Sequence, residues 1–564
     1  MPTSTGTDDD ANGMETMELV AATVSTEDLS VGRFIDRETP GNVGVALSGG
    51  GSRAATAAMG QLRALHELGL LDRVRAISGV SGGGWLSAAW TFLPQDRSDA
   101  EFFGPYVADP GALTILPDDT APPGACLREI AETCFAYPIT QARFDTVSVV
   151  AGLLGMRPRG VPGARAWQTL VGELLYAPLG LFEAGPDGRP KTFFAFDDAA
   201  VRAAREANPS LPAVAHTVKQ AGPGEARRPF FICNAGLEVL DEHGERAIAP
   251  VQGTPYFVGV VSDPPARDHH GHPVGGGAVA PFAFGGRLVD RRAGSITVRS
   301  EAAFSLIDIV GTGSAFYADF LDDRDAGTIV PAYPYFHPAA EPPAGAPCRF
   351  VDGGCLENQG VAALLAYRDI DSIIVFANTP TALSRSKDGL DQVVIERAIP
   401  PLFGYRPYRE GIGYLPQDPE APSIPPGASG EGEGELPDYR HDRVFPESSF
   451  PALLEGLWAA TTAGGAMPGV GPCTWLQRGM PVLENRWFRT HPRTIDVLWF
   501  YLSPASQWTD RLSRTVAKLV PHRWPNYPTA DTGLSAPAVN YLAHFASWVV
   551  VQREQDLRAL FGER

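Results

Sequence analysis

Val43-Gly44-Val45-Ala46-Leu47-Ser48-Gly49-Gly50-Gly51-Ser52-Arg53 is the stretch that decides the fold. Its five small or apolar residues suit a buried strand, and the run ends in a polar turn rich in glycine. Residues 53–68 are rich in Ala, with Met59, Leu62 and Leu65 at helical spacing and Gly69 as a stop. Residues 74–80 then read as a second strand and 82–90 as a second helix. Strand, helix, strand, helix in this order predicts an α/β fold with a mostly parallel central sheet.

The second strand runs into Gly79-Val80-Ser81-Gly82-Gly83, a G-x-S-x-G sequence. A chain with 61 glycines produces such spacings readily, so the strand-to-helix setting carries more information than the letters. A nucleophilic serine has to project from a sharp turn, and small neighbours let the backbone make it. The helix that follows points its positive end at Ser81 and favours a developing negative charge there. The competing assignment is a tight turn with no chemistry.

Acyl transfer also needs N–H donors aimed at the oxyanion. Gly49, Gly50 and Gly51 can turn several backbone N–H groups toward one point. A phosphate loop is the rival for this stretch, but it lacks a G-K-[ST] ending and a G-x-G-x-x-G spacing. Arg53 fits two roles, steering a lipid phosphate or anchoring the loop.

A serine hydroxyl needs a base. None of the eleven histidines occupies an evident strand end; His66 and His544 read as packing or surface residues. Asp352 follows the strand-like Arg349-Phe350-Val351 and precedes two glycines. Its reference pKa of about 3.9 is low for a base, and desolvation raises that value. On local sequence alone, a structural Asp in a D-G turn fits as well.

SGGGSR, GVSGGGW and VDGG, in this order, resemble the patatin-like and cytosolic phospholipase A2-like hydrolases. The resemblance is strong over residues 43–90 and loose over 229–377, with weaker echoes at Phe230-Phe231-Ile232-Cys233-Asn234-Ala235 and Thr254-Pro255-Tyr256-Phe257. It implies a three-layer sandwich around a mostly parallel sheet, large insertions forming a cap, and a Ser–Asp dyad without catalytic histidine. Carried onto this chain, Ser81 is the nucleophile and Asp352 the base. Gly49, Gly50 and Gly51 form the oxyanion loop, and Arg53 falls on the arginine that closes that motif. Trp85 and the 271-residue gap between Ser81 and Asp352 look closer to the cytosolic phospholipase A2 branch.

The implied activity is lipid ester hydrolysis of the phospholipase A or lysophospholipase type, through an acyl-serine, with no metal or organic cofactor. Two other readings stay open. One is an α/β-hydrolase with a Ser–His–Asp triad, in which His491, His522 or His544 serves. The other is a non-catalytic lipid-binding protein on the same fold.

Composition bounds the partners. The 564 residues are 44% hydrophobic and 20% charged, which suits a sizeable globular core. A net charge of −19 argues against nucleic acid and against global attraction to an anionic membrane. Lipid contact then requires a local basic or apolar patch. No run reaches the 18 or so apolar residues of a membrane span, 147–156 being the best, and the N-terminus lacks a signal peptide. Six cysteines without a CxxC pair read as reduced thiols. The expectation is a cytoplasmic protein, at most peripheral to membranes.

Residues 1–40 read as a disordered, acidic lead-in, followed by a catalytic domain over 41–564. Within it, 95–228 reads as a cap or lid insertion, and 416–438 as a loop rich in Pro, Gly and Glu. A helix is expected near 301–309, and residues 535–562 as a C-terminal amphipathic helix capped by Ser535. The cluster Asp268-His269-His270-Gly271-His272 has no helical i, i+4 pair and reads as a solvated loop, not a metal site. Gly311-Thr312-Gly313-Ser314-Ala315 reads as a strand-to-helix turn near the site.

Overall fold

The computed structural model describes residues 16–36, 39–141, 161–185, 187–316, 330–417 and 439–563. The apolar run 147–156 and most of the expected loop, 418–438, lie outside the described residues.

The strands in chain order are β1 (Met17–Val24), β2 (Val43–Leu47), β3 (Ala76–Val80), β4 (Thr192–Ala195), β5 (Val214–Thr217), β6 (Phe230–Leu240), β7 (Arg246–Gly253), β8 (Val258–Val260) and β9 (Gly277–Val279). They continue with β10 (Arg287–Arg292), β11 (Ser295–Ser300), β12 (Ala332–Tyr335), β13 (Ala346–Asp352), β14 (Ser372–Ala377), β15 (Ser384–Arg385), β16 (Val393–Val394), β17 (Thr474–Val482) and β18 (Arg493–Tyr501). Fourteen of them form one sheet, in the order β10-β11-β1-β9-β8-β7-β6-β3-β2-β14-β18-β17, with β12 and β13 off this path.

The expected α/β architecture is present, but the sheet is mixed rather than mostly parallel, because the strands beyond β6 are joined by short antiparallel connections: among the described residues, four pairings are parallel and nine antiparallel. Its parallel core is β6-β3-β2-β14-β18. Every residue of β2, β3 and β14 is buried, which explains their apolar runs without alternation. Beyond β6 the sheet turns antiparallel through β7, β8, β9, β1, β11 and β10.

Helix α1 (Gly51–Glu67) connects β2 to β3, and α2 (Gly82–Thr91) follows β3 directly. Further on come α3 (Leu306–Thr312), α4 (Val361–Leu365), α5 (Phe450–Thr462) and α6 (Ala536–Val551). Among the described residues, no helix is long and apolar enough to cross a membrane.

Three further expectations are corrected. The disordered lead-in does not extend over 17–24: β1 pairs with β11 and β9, and alternation along it buries Leu19 and Ala21. The stretch 311–315 is the end of a helix rather than its start, since α3 begins at its Ser305–Asp308 capping box. The expected amphipathic helix 535–562 is two helices, α6 and Glu554–Leu560, and α6 is buried on most sides. Its Ser547 hydroxyl donates to the Gly60 carbonyl of α1, while Phe545 packs edge-on against Trp524 from another direction. The Ser535 cap is as expected.

Within 95–228 the described residues include the parallel pair β4–β5, joined by the helix Asp198–Ala207. A buried ion pair joins the two ends of this region, and Trp90 of α2 is bonded to both partners. Arg228 reaches both Asp99 oxygens, at 2.7 and 3.1 Å, and its guanidinium lies over Trp90. The indole of Trp90 donates to the same carboxylate.

Candidate functional site

β6 is long enough to pair with two strands along one edge. β3 runs parallel to its first half and ends with Val80 opposite Asn234. β13 runs antiparallel to the next part and ends with Asp352 opposite Ala235. The two strands therefore approach head-on, and their terminal residues face consecutive residues of β6. Ser81, the next residue after Val80, and Asp352 sit where they abut.

Ser81 is held at φ 48° and ψ −118°, a backbone region that non-glycine residues rarely adopt. Its carbonyl already accepts from Trp85 N–H at 2.9 Å, so the turn passes straight into α2. A Cβ at Gly82 would overlap the Gly51 carbonyl, so glycine there lets the serine turn rest on the glycine loop. Asn234 braces the same strand, donating to Ser78 Oγ and to the Gly79 carbonyl at 2.9 Å each.

Asp352 is buried, and its Oδ1 accepts from Gly354 N–H at 2.8 Å. Its negative charge helps push the buried Cys233 thiol up to about 12, though burial is the larger cause.

The glycine loop is divided. Gly49 N–H donates to the Asn358 carbonyl at 3.0 Å, so Gly49 holds the loop in place rather than offering a donor. Among the described residues, the Gly50 and Gly51 N–H groups have no acceptor. Both glycines have positive φ, 134° and 58°, and both stand at the start of α1.

Arg53 is buried beneath this loop. Its guanidinium donates to the Asn378 carbonyl at 2.9 Å, to the Tyr527 carbonyl, and to Thr529 Oγ1 at 3.3 Å. Burial lowers its pKa to about 10, against the opposing fields of Glu396 and Asp531. All of these acceptors belong to residue 378 and the segment 527–529, packed beneath the loop.

One neighbour was invisible in the sequence. A Cβ at Gly49 would overlap the Asn358 carboxamide and come within 3.2 Å of Ser81 Cβ. A Cβ at Gly354 would come within 2.6 Å of Asn358 Oδ1 and 3.2 Å of Asp352 Oδ1. Asn358 thus lies between the glycine loop and the Asp352 turn. Its position six residues after Asp352, before α4, was the only signal.

The remaining candidates lie elsewhere. His544 is a buried core residue, bonded to Gly124 O and facing Arg63 at 3.5 Å; burial holds its pKa well below the usual range. His491 is half-buried and His522 exposed. Ser314 donates to Val310 O and accepts from Trp167. Asp268 is buried and gathers the N–H groups of His270 and His272, with His272 Nδ1 at 3.0 Å. Among the described residues no His, Cys, Asp and Glu side chains are grouped to hold a metal. Thr254 and Tyr256 belong to the turn between β7 and β8, where Tyr256 stacks on Phe230.

Residues 45–119 match the family model of the patatin-like phospholipases, and this segment carries that family's domain signature. Among individual relatives, 69 residues are 41% identical to cytosolic phospholipase A2 delta of Homo sapiens, and 43 residues are 58% identical to cytosolic phospholipase A2 zeta of Mus musculus. These stretches cover 12% and 8% of this chain and only 8% and 5% of those relatives. The solved structure of human GIVD cytosolic phospholipase A2 is similar at TM-score 0.46 and 14% identity, over 95% of this chain and 63% of that one.

Proposed function

We propose that the chain is a serine acyl-hydrolase acting on lipid esters, with Ser81 as nucleophile and Asp352 as general base. The observation that carries this is the abutment of β3 and β13 on β6, beside two unengaged N–H groups of the Gly50–Gly51 turn. Asp352 accepts the hydroxyl proton as Ser81 Oγ bonds to the ester carbonyl carbon. Gly50 and Gly51 N–H stabilise the oxyanion. The C–O bond breaks, the leaving alkoxide takes the proton from Asp352, and an acyl-serine remains. Water, deprotonated by the same carboxylate, then releases the fatty acid and regenerates Ser81.

Arg53 holds the glycine loop from below, and Asn358 spaces that loop from the base. The 95–228 region serves as a cap that shields the acyl chain from water. The patatin-like signature over 45–119 supports lipid esters as the substrate class.

The test is covalent labelling by an alkyl fluorophosphonate, read by peptide mass spectrometry. A single adduct on Ser81, absent in Ser81→Ala, is expected. Labelling at another serine, or none, would overturn the assignment.

A further inference from the structure

The segment from Gly353 to Ala362 links the two halves of the site. At its start, Leu356 and Glu357 N–H both donate to the Gly353 carbonyl, at 3.1 and 3.0 Å, and close the turn that follows Asp352. At its middle, the Asn358 carbonyl accepts from Gly49 N–H at 3.0 Å, and the Asn358 carboxamide fills the space between Gly49 and Gly354. Near its end, Gly360 takes a φ of 76° and passes against Ser78 of β3, where a Cβ would come within 3.0 Å of the hydroxyl. A displacement of Asn358 would therefore disturb the Asp352 turn and the glycine loop together.

Glu357 precedes Asn358 and spans this segment. Its Oε1 accepts from Gln359 N–H at 2.6 Å and its Oε2 from Ala362 N–H at 3.0 Å. The side chain thus grips the backbone beyond Asn358, while the N–H of the same residue grips the Gly353 turn before it. Glu357 is only 5% exposed, and a carboxylate that buried persists where hydrogen bonds replace its water. Gln359 adds a second anchor, donating from Nε2 to Glu396 at 3.3 Å; Glu396 is itself buried and accepts from Ala398 N–H.

Packing does not hold this segment from every side. A cavity lies behind it, lined by Gly353, Leu356 and Glu357 together with Asn234 and Ala235 of β6 and with Phe488. Asn234 and Ala235 are the residues opposite Val80 and Asp352, so the empty space adjoins the strand ends that carry Ser81 and Asp352. A turn backed by empty space has no contacting atoms on that side to restrain it, which leaves its position to the polar ties.

We propose that Glu357 is a positioning residue for ester hydrolysis: its carboxylate fixes Asn358, and through Asn358 it sets the Gly50–Gly51 donors against Ser81 and Asp352. The proposal deepens the serine-hydrolase reading and rests on it. A misplacement of about 1 Å in such a constellation costs about a hundredfold in rate.

Two variants test it. Glu357→Gln keeps the shape and one carbonyl acceptor, whereas Glu357→Ala removes both acceptors. On a soluble short-chain ester, kcat is expected to fall about tenfold in Glu357→Gln and about a hundredfold in Glu357→Ala, with KM within about twofold. Labelling of Ser81 by an alkyl fluorophosphonate is expected to slow in step. A merely structural role would lower Tm and leave kcat of the folded enzyme unchanged. Amide hydrogen exchange gives a readout that does not depend on catalysis: peptide 48–53 is expected to exchange several-fold faster in both variants. Should Glu357→Ala fail to fold, the isosteric Glu357→Gln carries both measurements.

Wild-type kcat in folded variants, a change confined to KM, or wild-type exchange over 48–53 would overturn the proposal. Retained ester hydrolysis in Ser81→Ala would instead overturn the catalytic reading, and exchange over 48–53 would then decide the tie between Glu357 and the glycine loop by itself.

Discussion

Ser81 and Asp352, 271 residues apart in the chain, stand at the facing ends of two strands that share one edge of β6. Val80 is opposite Asn234 and Asp352 is opposite Ala235, so the backbone of β6 sets their spacing. The relative placement of the two residues therefore depends on sheet register rather than on loop conformation.

The glycine loop rests on the serine turn through Gly82, whose added Cβ would meet the Gly51 carbonyl. Gly82→Ala is expected to displace the Gly50–Gly51 donors and lower kcat about a hundredfold, with KM little changed. Steady-state kinetics on a soluble ester check this; an unchanged kcat would remove the oxyanion role from the loop.

Arg53 acts on the loop from beneath through Asn378, Tyr527 and Thr529. Arg53→Lys is expected to lose about 1–3 kcal/mol of stability and to lower kcat equally for neutral and phosphate-bearing esters, because an ammonium cannot span three acceptors. A rise in KM confined to phosphate-bearing substrates would indicate direct contact with the headgroup.

The 95–228 region is fastened at Asp99, which receives Arg228, Trp90 and Ala226 N–H in a buried pocket. Asp99→Ala leaves the Arg228 charge without its partner and is expected to destabilise by about 3–5 kcal/mol. Denaturant unfolding followed by tryptophan fluorescence reads it directly.

Glu357, between Asp352 and α4, is buried, and burial raises its pKa to about 7 despite N–H donation from Gln359 and Ala362. A carboxyl whose folded pKa exceeds its unfolded one binds more protons when folded. Its contribution is therefore fully present below about pH 4.5 and declines as pH rises toward 7. In a Tm-against-pH series, Glu357→Gln is expected to flatten the decline between pH 5 and 7, whatever its effect on Tm at one pH. An unchanged slope would assign that decline to other groups.

Much of the parallel core was legible because its strands are buried on both faces and read as short apolar runs ending in glycine turns. The strand Met17–Val24 was not, because only Leu19 and Ala21 face inward within a polar, acidic stretch. The antiparallel half was hidden for the opposite reason: β6 is buried along nearly its whole length, so no alternation marks it as a long strand with two partners on one edge. The strand-to-helix turn at Ser81 was readable from its local sequence alone. Asp352 needed the family resemblance, since a strand-ending D-G pair has many uses. The engagement of Gly49 was not legible because one backbone hydrogen bond, from Gly49 N–H to Asn358 O, has no trace in sequence.

The central claim is the Ser81–Asp352 dyad, and one measurement tests it most directly. Wild type, Ser81→Ala and Asp352→Asn, each verified as folded, are incubated with a defined lipid panel, and released fatty acids are quantified by mass spectrometry. The dyad predicts that both variants fall by about a thousandfold or more on every lipid the wild type cleaves. Near-wild-type release by Asp352→Asn would contradict it.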